Sequence, residues 1–371
     1  MCAAGKAQLT FLEHTLYKPY TVARKGFPVT HIATLHPDAL GLAHFQLELE
    51  RSLRAWLVAE DESVIDSRWT AARDVVSEFA LRPAKRVRPT LLAAGFACAR
   101  GHVDTEALVD FGVGLELLHA FMLVHDDVAD RATVRRGGPA LHVALGDESL
   151  AVVAGDHLYA RAMEAMLAAP SPAALKATRY MLEVCRHTAA GQHLDLVLAR
   201  APLAEVRLTS ALKVARLKTA KYGFVAPLVC GAMLGGASPA LISALERVGR
   251  SAGLAYQLRD DVLGLFGDDA VAGKAGGGDF LEAKRTFPVL AAWARADAAG
   301  REKLATLWSA PSQATLDTAR EEVTRWGGRD ATERMVQRAT TQARSRLSKL
   351  PMSPIVPLLD GLLASMERRQ S

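Results

Sequence analysis

Apolar residues recur every three to four positions along almost the whole chain, the spacing that fills one face of an α-helix. Strand-like alternation bounded by turns is scarce, so the expected fold class is all-α. Helical stretches are read from Leu42 to Ala59, Trp69 to Leu81, Pro89 to Ala99, Glu106 to Asp130, Pro172 to Leu198, Ala204 to Leu234, Pro239 to Phe266 and Phe287 to Ala298. Gly and Pro gather at Arg82 to Arg88, Arg135 to Pro139, Gly235 to Ser238 and Gly267 to Gly278, and these mark the loops. The helix from Glu106 to Asp130 would run roughly 37 Å at 1.5 Å per residue. With 371 residues, half of them hydrophobic, and no flexible linker or short repeat, the helices imply a single large bundle. It is expected to occupy residues 41–371, after an N-terminal extension, residues 1–40, to which no role attaches.

Several classes are set aside. The apolar runs from Leu91 to Ala99 and from Leu115 to Val124 are too short, or too interrupted by Glu116 and His119, to predict a membrane span. The start, MCAAGKAQLTFLEH, lacks the basic region, apolar run and cleavage site of a secretory signal. Cys2, Cys98, Cys185 and Cys230 are widely spaced without a CxxC pair, which suggests neither a disulfide framework nor a zinc site and makes the cytoplasm the expected location. A net charge of +5 on scattered basic residues suits a small anionic ligand and gives no reason to expect nucleic acid.

Two acidic clusters carry the chemistry. Asp126 and Asp130 lie one helical turn apart at the end of the long apolar helix, with Asp127 beside them. Carboxylates about 4 Å apart would repel by roughly 4 kcal/mol at an effective dielectric near 20, a cost that a divalent cation removes. A sparse set of hard oxygen ligands suits magnesium, which completes its shell with water and substrate phosphate. A solvated helix end is the plainer reading of one such cluster, although negative charge there opposes the helix dipole. A second cluster, Gln257, Asp260 and Asp261, closes another apolar helix, and the two could face each other across a bundle with metals between them. Basic residues follow each: Arg135 and Arg136 in a Gly-rich turn, Lys274 and Lys284 around the second Gly-rich segment. Metal, guanidinium and ammonium together describe a diphosphate site. Lys85, Arg86 and Arg88, ahead of Pro89, could serve a second diphosphate.

These residues resemble the trans-type prenyl diphosphate synthase, or polyprenyl synthetase, family. The resemblance rests on AKRVRP (84–89), ELLHAFMLVHDDVADRATVRRGGPALH (116–142), AGD (154–156), GQHLDL (191–196), KTAKYGFVAPLVCGAMLGG (218–236), YQLRDDVLGLFGD (256–268) and GKAGGGDFLEAKRT (273–286), in the family's order. It implies the isoprenoid synthase bundle around a central substrate cavity, and a prenyltransferase that joins isopentenyl diphosphate to an allylic diphosphate. It also implies three magnesium ions per site, held by Asp126, Asp127, Asp130, Asp260 and Asp261, and a homodimer. Arg135, Lys218, Lys274 and Lys284 match contacts to the allylic diphosphate, and Gln192, Asp195 and Gln257 match the shell around metal and phosphate. Thr219, with Gln257, matches a position near the developing carbocation. Lys85, Arg88, His119 and Arg136 match the isopentenyl diphosphate site. Loss of a proton to the released diphosphate would complete each condensation.

The chain departs from the family pattern in places. Pro83 and Ala84 replace the two glycines usual before KRxRP, Gly264 stands where many members carry a third Asp or Asn, and Ala283 stands where Gly is common. Product length in this family depends on residues below the first acidic cluster. Phe121, five positions before Asp126, resembles the geranylgeranyl (C20) pattern, while Met122, at four, is larger than usual there. The expected product is therefore C20, with farnesyl (C15) as the alternative. A class I terpene cyclase would lack Lys85, Arg88 and Arg136, and a non-catalytic partner subunit would usually have lost acidic residues that this chain keeps.

Overall fold

The computed structural model describes residues 41–58, 66–267, 277–350 and 355–368, and nearly all of its regular structure is helical. Helix α1 (Leu42–Val58) buries Phe45, Leu49, Leu53 and Leu57, a stripe of every fourth residue. Helices α2 (Ser67–Leu81), α3 (Val87–Arg100) and α4 (Thr105–Asp130) follow, then α5 (Leu141–Leu145), α6 (Glu148–Ala168) and α7 (Ala174–Arg200). Cap chemistry fixes several starts. Asp66, Asp104 and Asp147 each accept a backbone N–H from the first turn of α2, α4 and α6. Ser238 does the same for α10 (Pro239–Phe266), whose first residue is the proline that needs no donor. The expected boundaries of α4 and α10 therefore hold to within a residue.

Between Ala204 and Leu234 the uniform helix expected from the sequence is replaced by a composite. A 3₁₀ turn (Leu203–Glu205) leads to α8 (Leu208–Val214), a π-helical segment (Ala215–Val225) and α9 (Ala226–Leu234). A π segment is wider than an α-helix and needs neighbours that give way. Gly191 of α7 and Gly253 of α10 supply that room: a β-carbon on the first would lie 2.7 Å from the Lys218 nitrogen, and on the second 2.5 Å from the Ala220 α-carbon. A second difference is a hairpin of β1 (Val134–Arg135) and β2 (Gly138–Pro139) where only a loop was expected. Its turn residues, Arg136 and Gly137, have φ of 51° and 73°, the two-residue geometry that suits a right-twisted hairpin.

The C-terminal part comprises α11 (Gly278–Leu281), α12 (Phe287–Arg295), α13 (Ala298–Ser309), α14 (Leu316–Arg325), α15 (Gly328–Leu347) and α16 (Ile355–Arg368). Two apolar cores result. The larger is built from α1 to α7, the π segment, α9, the N-terminal half of α10, the end of α15 and α16, and the smaller gathers Ala211 of α8 with Phe280, Phe287, Leu290, Trp308 and Val323 around the later helices. Helix α10 runs through both, contributing Leu245 and Val248 to the first and Leu258 and Leu265 to the second. Its acidic cluster thus lies where the cores meet. Helix α4 is long and apolar enough to cross a membrane, but most of it is buried against its neighbours.

Candidate active site

The end of α4 gives its three aspartates different surroundings. Asp127 is wholly buried and receives the guanidinium of Arg135, whose Nε lies 2.7 and 3.0 Å from the two carboxylate oxygens. The 100° step between successive helix residues turns Asp127 toward the hairpin and leaves Asp126 on another face. Lys218, from the π segment, sets its ammonium 3.3 Å from Asp126 and 3.0 Å from Asp195 of α7. Lys284 binds Asp130 at 2.8 Å and also pairs with Glu282. Burial works against both ammonium groups, but the carboxylates outweigh it and hold their protons above the usual lysine range.

The hairpin is clamped from α2. Arg82 is buried, pairs with Glu78, and donates to the carbonyls of Arg135 at 3.0 Å and Pro139 at 2.7 Å. This brings Arg136 beside Arg86 and Arg88. Burial, with Arg86 and Arg88 adding to it, pushes the Arg136 guanidinium down to about 10 despite the opposing pull of Glu116. His119 is held well below its ordinary value by burial and then by Arg88 and Arg136, so its ring is neutral. Arg88 stacks over the Tyr222 ring, 4.9 Å from its centroid, while its Nε and His119 Nδ1 are buried without a hydrogen-bond partner. Crowded cations with unused donors describe an anion site. Lys85 is exposed at its edge. Arg86 plays another part: it sits in the left-handed region at φ 45° and pairs with Glu116 and Glu50, each at 2.7 Å, which anchors the start of α3. Sequence reasoning gave neither Glu116 nor Tyr222 a part in the site, although both lie in quoted motifs.

On α10, Gln257 connects two elements. Its carbonyl accepts from the Thr219 hydroxyl and its amide donates to Asp261 at 2.8 Å. Asp261 also accepts from the Phe287 N–H at 3.3 Å, and burial, followed by the charge of Asp279, pushes its carboxyl up to about 8. Asp260 is partly exposed. A cleft gathers Asp195, Lys218, Gln257, Asp261, Asp279 and Lys284. A wider depression lined by Phe266, Arg320 and Arg329 carries none of these groups. Lys274 lies outside the described residues, as do residues 1–40.

Ala283 adopts φ 53°, which explains why glycine is common there. The left-handed region costs a residue with a β-carbon about 1–2 kcal/mol, against about 0.5–1 kcal/mol of extra chain entropy lost by glycine. Ala283→Gly is therefore expected to raise stability by about 0.5–1 kcal/mol, read as a higher urea midpoint with an unchanged slope.

Among the described residues no three carboxylate, histidine or cysteine side chains close on one point, because Lys218 and Lys284 sit among the acids. The donor set nevertheless fits a divalent cation. Asp126, Asp130, Asp195 and Asp260 supply hard oxygens, and both polar atoms of the buried Gln192 amide have no partner. Asp127, also expected among the metal ligands, is wholly buried and paired with Arg135 here.

Comparison with known proteins identifies the family. The polyprenyl synthetase family profile matches residues 71–323. A short chain isoprenyl diphosphate synthase of Methanothermobacter thermautotrophicus is 31% identical over 83% of this chain and 94% of its own. A geranylgeranyl diphosphate synthase of Mycobacterium tuberculosis is 34% identical over 81% and 84%. The crystal structure of geranylgeranyl pyrophosphate synthase from Corynebacterium glutamicum, complexed with isoprenyl diphosphate and magnesium, superposes with a TM-score of 0.80 at 29% identity, covering 88% of this chain and 99% of that one. Farnesyl and geranylfarnesyl diphosphate synthases also match, at 33% and 32% identity. A profile that spans both acidic clusters, the hairpin arginines and the cleft between them, on the same all-α fold, places the chain in the polyprenyl synthetase family of prenyltransferases.

Proposed function

We propose that this prenyltransferase condenses isopentenyl diphosphate with an allylic diphosphate up to the C20 product, geranylgeranyl diphosphate. The observation that carries the two-substrate reading is the pair of separate cationic sites. One is Arg88, Arg136 and neutral His119, where Arg88 Nε and His119 Nδ1 are buried without a partner, and the other is Lys218 and Lys284 among the carboxylates. The first would hold isopentenyl diphosphate, with Lys85 at its rim. The second would hold the allylic diphosphate, with Lys274 and the shell residues Gln192 and Asp195. Magnesium, with three ions per site in this reading, supplies positive charge to the leaving diphosphate when bound. Lys218 and Lys284 add their charge to the same oxygens, and the Thr219 and Gln257 dipoles face the carbon left behind. Apolar faces of α4, α6 and α7 keep water from the cation. Incubation with magnesium, isopentenyl diphosphate and each allylic starter, followed by analysis of the dephosphorylated products, tests the reading. A lack of any condensation product would overturn it.

Product length is assigned to the floor below Asp126. Phe121 packs its ring on Tyr159 of α6 and on His125, with centroids 5.2 and 4.6 Å apart, and Met122 is partly buried against the core one turn before Asp126. Tyr159 therefore braces the aromatic that would stop the tail. Phe121→Ala is expected to shift products beyond C20, and the double change with Met122→Ala further. An unchanged distribution in a folded double variant would assign both side chains to packing alone, with a loss of about 2–5 kcal/mol on truncation.

The chain is also proposed to form a homodimer in the cytoplasm. Val143 of α5 and Leu150 and Val153 of α6 are large apolar side chains left 45–59% exposed on neighbouring helices, a surface suited to a second copy. Light scattering at micromolar concentration should give twice the chain mass. A fully active monomer would refute the assembly.

A further inference from the structure

Lys284 reaches the cleft from the short turn between α11 and α12, and that turn is strained. Ala283 holds φ 53°, a conformation that a residue with a β-carbon keeps only when its surroundings impose it. Lysine carries its charge on a flexible four-carbon stem, so the aim of the ammonium depends on how firmly the backbone beneath it is fixed. The carbonyls on either side of that backbone are both held. The Ala283 carbonyl accepts from the guanidinium of Arg285, which is buried and also donates to the Ala201 carbonyl, just past α7, from Nε at 3.1 Å and Nη2 at 2.7 Å. The Lys284 carbonyl accepts the indole N–H of Trp308 at 3.0 Å. Trp308 comes from the last turn of α13, a helix that contributes no described residue to the lining of the cleft. It is 3% exposed, and its ring meets Phe280 of α11 edge to face, with centroids 4.8 Å apart. One side chain of the smaller core thus grips the segment twice, at Phe280 before the turn and at Lys284 within it. Beyond that grip the Lys284 ammonium pairs with Asp130 and Glu282.

We propose that Trp308 is a positioning residue for the allylic diphosphate: its indole N–H fixes the Lys284 carbonyl, and with it the direction in which the ammonium enters the cleft. This rests on the reading of Lys284 as a contact to that diphosphate. Without the N–H, the turn loses the partner that opposes relaxation at Ala283, while the ring contact with Phe280 can be kept.

The test is steady-state kinetics of the full chain with magnesium, varying geranyl diphosphate and isopentenyl diphosphate in turn. Trp308→Phe keeps an aromatic ring against Phe280 and removes the donor. It is expected to raise the KM for geranyl diphosphate roughly fivefold, the contribution of one hydrogen bond, and to leave the KM for isopentenyl diphosphate within roughly twofold of the parent. Replacing the same tryptophan by 3-benzothienylalanine, in which sulfur stands for the N–H, keeps the bicyclic shape and should do the same even where the smaller phenylalanine loosens the core. A Lys284→Ala background supplies a readout that a merely structural role would not move: with no ammonium to aim, Trp308→Phe should raise the geranyl diphosphate KM no further. A parental KM for geranyl diphosphate in both donorless variants would overturn the inference, as would an equal rise with and without Lys284. A parental KM for geranyl diphosphate in Lys284→Ala alone would instead refute the reading of Lys284 on which the inference rests.

Discussion

Asp126→Ala is expected to lower kcat/KM by about 10³-fold or more while leaving the fold intact, and Asp260→Ala to behave alike. In the proposed site each carboxylate would offer an oxygen to the cation that neutralises the departing diphosphate, an interaction worth several kcal/mol, and each 1.36 kcal/mol is a factor of ten in rate. Two carboxylates facing one another without metal would be expected to gain stability when one is removed. Here they do not face one another bare, since Lys218 already lies between Asp126 and Asp195. Asp126→Ala leaves that ammonium its shorter contact, so the melting temperature should stay within a few degrees of the parent. Near-parental turnover at limiting magnesium would show that Asp126 is not a ligand.

The neighbouring substitution should fail for a different reason. Asp127→Ala strands the Arg135 guanidinium, whose side chain is 13% exposed, against a carboxylate site that is 0% exposed. Breaking a buried ion pair from one side costs about 3–5 kcal/mol, and the partial exposure of Arg135 points to the lower end. An unfolding free energy lowered by that amount, read from urea denaturation, beside an almost unchanged one for Asp126→Ala, would separate two residues that are adjacent in sequence. Replacing the pair together, Asp127→Ala with Arg135→Leu, should recover most of the stability, because no buried charge is left alone. Equal stability losses for Asp126→Ala and Asp127→Ala would contradict the distinction.

The sequence spoke clearly where the determinants are local. Apolar spacing and cap residues such as Asp104 and Ser238 act within one or two turns, and the helices they define lie where the pattern put them. The composition of the acidic and basic clusters was equally plain. What stayed hidden depends on neighbours distant along the chain. The π segment needs Gly191 and Gly253 on two other helices, and the separate fate of Asp127 needs a hairpin clamped by Arg82. The bracing of Phe121 by Tyr159 joins α4 to α6.

In the proposed site, the ion pairs of Lys218 and Lys284 would also influence the order in which the cleft fills. As long as each ammonium is bound to Asp126, Asp195 or Asp130, a divalent cation arriving alone meets carboxylates whose charge is already spoken for. A diphosphate arriving alone meets ammonium groups whose charge is likewise committed. Arriving together, the two would exchange partners with the resident pairs, phosphate oxygens taking Lys218 and Lys284 and the cation taking the aspartates. The two ligands are then thermodynamically linked, each raising the affinity for the other by the same factor, as reciprocity requires. In such a site the substrate would itself raise the affinity for the metal.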